Sequence, residues 1–401
     1  MNKSHDKPYT AANLKLANLE YLIQNGQPVF GVSSQVKSIN YLDYHSHLIS
    51  QKSLPNWRKE LKANQFCFIQ ILQPPYRVCL ALATIKLATS AFVYIYNEDT
   101  QQLEVCEALQ PLTHHTHLDG DGYQGQMAFT HTKLSVTLDF SPAQMNIVLD
   151  SQYVAITAAL ARSAQPLAIC TPTGRRGWTF TQKEPLTALS GYLLIKSNSK
   201  FHTDAPDAPD APDAPDAPGA PDARPQKITF TDATIANLDW TLGYMRHETN
   251  WFWSCMTSYL SDGRHFLLNL SMGVNETGAS ENACWLDGQI FYLPPVMFAR
   301  EGSSIRSNQP NSLKPSIEGV ETDASISKPW RIYHQNLGWS NVDIDLSFTP
   351  ITVYKKTDNF GVIASIFEQW IGFYNGEIRI RDEVIRLDNV MGLAEDHFAK
   401  W

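Results

Sequence analysis

The sequence predicts an all-β protein built from two antiparallel β-barrel or curved-sheet domains with few helices. Three observations lead there. Short runs rich in Val, Ile, Leu and aromatic residues recur in both halves, separated by turn residues. Residues alternate with period two: in VDIDLSF, Val342, Ile344, Leu346 and Phe348 share one face, while Asp343, Asp345 and Ser347 share the other. Few segments carry the 3.6-residue period of a helix. Sequential short strands with hairpin-like links suit closed barrels, and a double-sheet sandwich would bury the same pattern.

Taken in order, residues 1–29 form an N-terminal segment expected to be partly helical, with residues 55–63 as a second helix candidate. Residues 30–203 read as the first β domain, with strands in CFIQIL, RVCLALATIKL, SAFVYIYNED, QLEVCEAL, KLSVTLDFS, NIVLDSQYVAITAAL and GYLLIKS. Residues 204–225 hold an Asp-Ala-Pro repeat. Proline at every third position blocks helices and sheet ladders, and the aspartates keep the segment solvated, so it reads as a low-complexity loop. Residues 226–401 read as the second β domain, from KITFTDATI to EVIRLDNVMGLAEDH. A chain of 401 residues suits this division at roughly 150 residues per domain.

Composition narrows the function. Hydrophobic residues at 43% against 18% charged mark a globular chain. The net charge of −8, with no Lys/Arg cluster, argues against nucleic acid and against an anionic membrane surface. The sequence has no apolar run of 18 residues, so no membrane insertion is expected. The N-terminus lacks an apolar signal-peptide core. The six cysteines include no CxxC pair and mostly sit in apolar runs, which points to reduced buried thiols and a cytoplasmic location. GxGxxG, GxxxxGK[ST] and GxSxG are absent. The tract HHTHLDGD, with His114, His115, His117, Asp119 and Asp121, has metal-ligating residue types but sits in a turn with no second cluster. No metal and no cofactor are expected.

The most informative segment is DWTLGYMRHETNWFWSCMTSY, residues 239–259. As a strand it places Trp251, Trp253, Cys255, Thr257 and Tyr259 on one face and Phe252, Ser254, Met256 and Ser258 on the other. Both faces mix apolar bodies with hydrogen-bonding tips, as a cavity wall does; a crowded barrel core in which each indole N–H is paired would read the same way. Trp240, Tyr244, Thr249, Trp251 and Trp253 are therefore expected to contact a ligand. Asn269, Glu281, Asn282 and Gln369 join them as polar anchors; a turn role is the alternative for Glu281 and Asn282, and a solvated outer face the alternative for Asn269. Asp239 is a candidate general acid, if burial raises its pKa, or else a partner for Arg246. Glu395 and His397 lie two residues apart on one strand face, so the acid can orient the imidazole for proton transfer; a structural lock that closes the barrel is the alternative.

An ordered set of segments carries a family resemblance: DWTLGY, TNWFW, SENACWLDGQIFYLPPVMF, PWRIY, LSFTP, QWIGFYNGEI and GLAEDHFAKW, preceded by GWTFTQKEPLTALSGYLLI. Together they resemble the domain of unknown function 2804 family. The resemblance implies a lipocalin-like two-domain fold, similar to a wider group that includes carotenoid hydratases and tocopherol cyclases. It maps no catalytic residue onto this chain. Relatives tend to carry Arg where Leu242 stands and His where Glu368 stands, so a different ligand or a lost activity is in view.

Three roles remain open on this reading. The first is a carrier or sensor of a small apolar or amphipathic molecule held in a barrel cavity. The second is an isomerase, cyclase or hydratase acting on a polyene or isoprenoid with a buried carboxylic acid as proton donor. The third is a structural protein with filled barrels.

Overall fold

The computed structural model describes residues 16–46, 54–85, 87–174, 176–202, 224–274, 280–300, 328–335, 341–361 and 363–400. Among them 68% are strand and 4% helix, so the all-β expectation with few helices holds. The α-helix Asn56–Lys62 is the second helix candidate. The N-terminal segment differs from expectation: its described part forms the short strands Asn18–Tyr21, Ile23–Gln24 and Gln27–Pro28. Helical periodicity there loses to pairing, because Asn18–Tyr21 finds a parallel partner in Gln35–Ser38. Residues 1–15, most of the Asp-Ala-Pro segment and Trp401 lie outside the described residues.

Two large curled sheets hold most of the strands among the described residues, beside two two-stranded ones near the N-terminus. The first has fourteen strands. Its path runs from Thr116–Leu118 through an antiparallel meander to Gly177–Ile195, then Ile235–Tyr244, Asn64–Gln73, Tyr76–Thr84, Ala88–Asn97 and Gln102–Pro111. The second has nine antiparallel strands, with Glu248–Tyr259, Glu383–Lys400, Ala364–Ile380 and Val342–Asn359 at its centre. The boundary expected at residue 226 is corrected by this topology. Gln226–Thr229 and Ile235–Tyr244 both pair with Gly177–Ile195, so the chain enters the second sheet only at Glu248. Gly243 fits this pairing because a Cβ there would lie 2.2 Å from the Trp178 carbonyl oxygen.

Each curled sheet packs a core against its own inner face. Val78, Leu80 and Leu82 point into the first, while Cys79 and Ala81, alternating with them, point toward the second sheet. In the second sheet Phe252 and Met256 point inward, and Trp253 and Cys255 face the first. Strands buried on both faces read as continuous apolar runs, which explains CFIQIL and RVCLALA. Each large side chain so buried contributes roughly 1.5–3 kcal/mol. The same alternation separates three consecutive polar residues. Gln182 and Glu184 face inward, where Glu184 accepts hydrogen bonds from Arg162 and from Gln182 at 3.0 Å, whereas Lys183 faces the second sheet.

Candidate functional site

A cavity of about 240 Å³ opens between the outer faces of the two sheets. The sequence-based expectation was a cavity inside a barrel. Its walls instead come from residues that point away from both inner cores: Phe66, Ala81, Phe92 and Thr241 on one side, Trp251, Trp253 and Phe367 on the other. Register builds the polar end. Lys183 pairs directly with Asp239, and Thr181 with Thr241. Across the cavity, Trp253 and Gln369 flank Glu395 on neighbouring strands, and Trp251 and Phe367 flank His397.

Lys183 is the centre of one cluster. Its side chain is 5% exposed, its ammonium donates to Asp239 Oδ2, and it stands 3.4 Å from Glu281 Oε2. Thr181 donates to Glu281 Oε1 at 3.2 Å. The other oxygen of Asp239, Oδ1, is buried and has no hydrogen-bond partner among the described residues. Burial pushes the Asp239 carboxyl above its ordinary range; Lys183 pulls it back, and Glu281 and Glu395 add to the rise. Burial opposes the Lys183 charge, yet Asp239 and Glu281 outweigh it and hold the ammonium above its usual value. Two carboxyl groups thus converge on one cation, an arrangement that favours keeping a proton in the site.

Glu395 anchors a second cluster. Its Oε1 accepts the Trp251 indole N–H at 2.9 Å, and its Oε2 accepts the Gln369 amide at 3.0 Å. Gln369 in turn accepts the Tyr94 hydroxyl at 2.5 Å, which ties the second sheet to the first. The His397 ring lies against Trp251, with centroids 4.2 Å apart, and meets Phe367 edge-on at 5.0 Å. Its Nδ1 stands 3.4 Å from Glu395 Oε1, and its Nε2 stands 2.9 Å from Ser365 Oγ.

The candidates from sequence therefore divide. Asp239, Thr249, Trp251, Trp253, Glu281, Glu395 and His397 all line the cavity. Asn269 and Gln369 stand behind it: Asn269 accepts the Trp253 indole N–H at 2.8 Å and donates to the Glu281 carbonyl at 2.8 Å. Three further candidates do not line it. Trp240 alternates with Asp239 and is fully buried in the first core against Phe180. Tyr244 packs on Tyr44 and Trp178 and donates to the Tyr41 carbonyl. Asn282 shapes a turn, accepting from the Ser271 backbone N–H and donating to the Pro294 carbonyl. Arg246 reaches the Gly273 carbonyl, while Asp239 takes Lys183 as its partner. Leu242 belongs to the first core, and Glu368 pairs with Arg300 at 2.8 Å, so neither position of family departure lines this cavity.

Sequence reasoning missed Lys183, Ser365 and the aromatic wall of Phe66, Phe92 and Phe367. Lys183 sits in the polar run QKE, which gave no signal of its own; the structure shows residues 178–186 all buried, where a lysine has to meet a counter-ion. His117 and Asp119 of the histidine-rich tract do approach to 3.1 Å, at the exposed surface. Among the described residues, no group of three or more His, Cys, Asp or Glu is placed to hold a metal.

No curated protein matches the chain. The crystal structure of CghA with Sch210972 is similar at 10% identity and a TM-score of 0.47, over 95% of this chain and 97% of that one. The crystal structure of kievitone hydratase from Nectria haematococca is similar at 11% identity and a TM-score of 0.39, over 84% of this chain and 88% of that one. Residues 20–401 match a family model across nearly the whole chain, and the protein belongs to that family, the domain of unknown function DUF2804.

Proposed function

We propose that the inter-sheet cavity binds a small amphipathic molecule. Its apolar body lies against Phe66, Phe92, Trp251 and Phe367, and its polar end reaches Lys183, Asp239 and Glu281. One observation carries this reading: an aromatic-walled cavity ends on a buried ammonium and on a carboxyl oxygen that has no hydrogen-bond partner. A buried polar atom left unpaired costs about 1–3 kcal/mol, and a ligand hydroxyl or N–H that donates to it would recover it. Titration with retinol or lauric acid is expected to change tryptophan fluorescence. Trp251→Ala removes one wall and is expected to weaken that binding by roughly 1.5–3 kcal/mol. Unchanged fluorescence with both probes, or unchanged affinity in the variant, would remove the support for this site.

The upward shift of Asp239 favours a second reading, an isomerase, cyclase or hydratase with Asp239 as proton donor. Asp239→Asn keeps the shape and the hydrogen bonding but has no acidic proton. A carrier then binds the probe as before, whereas an acid catalyst binds its substrate and no longer converts it.

A further inference from the structure

We propose that Ser365, His397 and Glu395 form a nucleophile–base–orienter unit that cleaves an ester of the small molecule held in the cavity. This rests on the binding reading above and adds a reaction to it. All three residues line the cavity. They come from two neighbouring strands of the second sheet, and their arrangement follows from register. Phe367 pairs with His397 and Gln369 with Glu395, so Ser365 lies diagonal to His397 on the same face.

The geometry assigns each role. Glu395 Oε1 stands 3.4 Å from His397 Nδ1, which favours the tautomer with the proton on Nδ1. Nε2 is then left as an acceptor, and Ser365 Oγ lies 2.9 Å from it. The acid is itself held by Trp251 and Gln369, and the imidazole is fixed between Trp251 and Phe367. A base within hydrogen-bond reach of a hydroxyl, oriented by a third group, is the signature of an activated nucleophile. Here the serine sits within a β-strand, so no GxSxG turn announces it in the sequence. Opposite Ser365, Asp358 pairs in register and is held by Lys356 at 3.7 Å. Lys356 lines the same cavity and also stands 3.5 Å from Glu107.

The reaction balances without a cofactor. Ser365 Oγ bonds to the acyl carbon as its proton passes to His397 Nε2. The acyl C–O bond breaks, and the alcohol leaves with that proton. Water then attacks the acyl-serine, with His397 again taking and returning a proton, and releases the carboxylic acid. Small neighbours, Ala364 and Ala399, leave room beside the hydroxyl, and both line the cavity.

The test is covalent labelling of the full chain with a fluorophosphonate, read by intact mass and peptide mapping, with hydrolysis of p-nitrophenyl butyrate alongside. One adduct at Ser365 is expected, absent in Ser365→Ala. His397→Gln keeps a polar group near the hydroxyl but is a poor base, and is expected to slow labelling at least a hundredfold. Glu395→Gln is expected to slow it about tenfold, and Glu395→Asp, which restores a carboxylate, to recover part of that rate, a rescue that a packing role would not produce. Folded protein without an adduct at Ser365, or labelling at Ser365 that His397→Gln leaves unchanged, overturns the proposal. The lauric acid titration separates the two readings. Binding without an adduct leaves the binding site standing and removes the ester chemistry, whereas an adduct without binding does the reverse.

Discussion

Lys183→Met is expected to destabilise the fold by about 3–5 kcal/mol at neutral pH, the usual cost of removing one partner from a buried ion pair. The side chain is 5% exposed and reaches Asp239 and Glu281, which are also buried. Methionine fills much of the space but leaves two carboxylates facing each other without a cation. The pH dependence follows from the directions of the shifts. Lys183 has a folded pKa above its ordinary 10.5, so its stabilising contribution is fully present below that value and fades as pH rises through the folded value. Asp239 has a folded pKa above 3.8, so its contribution is present below 3.8 and is lost as pH rises through the folded value. In the variant the carboxyls can relieve their repulsion only by protonation. The gap between wild type and Lys183→Met is therefore widest near neutrality and narrows as pH falls toward the carboxylate range. Urea unfolding at pH 7.5 and pH 4.5 measures it. Equal gaps at the two pH values would mean that packing, and not charge, gives Lys183 its importance.

Trp253→Ala is expected to cost about 3–5 kcal/mol, as large-to-small substitutions of buried aromatics do. The indole is buried between the sheets and meets Phe68 edge-on at 5.2 Å. Its N–H also satisfies Asn269, and Asn269 holds the Glu281 backbone. The variant thus opens a void and strips a hydrogen bond from the residue that positions the cavity acid. Trp253→Phe helps to separate the two effects, since it keeps an aromatic ring between the sheets and loses the N–H with part of the indole. It is expected to cost about 1–3 kcal/mol, the range for a buried polar atom left unpaired. Urea denaturation of both variants checks the order. A cost below about 1 kcal/mol for Trp253→Ala would show that the site collapses around the missing ring.

Much of the site was legible because a strand has a fixed period. Trp251 and Trp253 had to share a face, as did Glu395 and His397, whatever the sheet did. The same rule separates two of the candidates. Asp239 and Trp240 are adjacent, so a single strand cannot aim both into one cavity, and the structure sends the indole into the first core and the carboxylate out of it. The placement of Tyr244 and Asn282 turned on local packing and turn geometry, for which aromatic or amide character alone is no guide.

What the sequence determined by itself was the class of structure. Period-two alternation, turn residues and runs apolar on both faces demand antiparallel strands with two buried sides, because a backbone so patterned has no other way to remove its side chains from water. What only the tertiary structure decided was which buried face met which. Lys183 joins Asp239 across 56 positions of sequence, Thr181 joins Glu281 across 100, and Tyr94 joins Gln369 across 275. Nothing in the local pattern distinguishes a face turned into a curled sheet from one turned toward a second sheet, since both are apolar. Register and sheet packing settle that choice through long-range contacts, and they placed the cavity between the sheets, with its lysine, its acids and its serine drawn from separate strands.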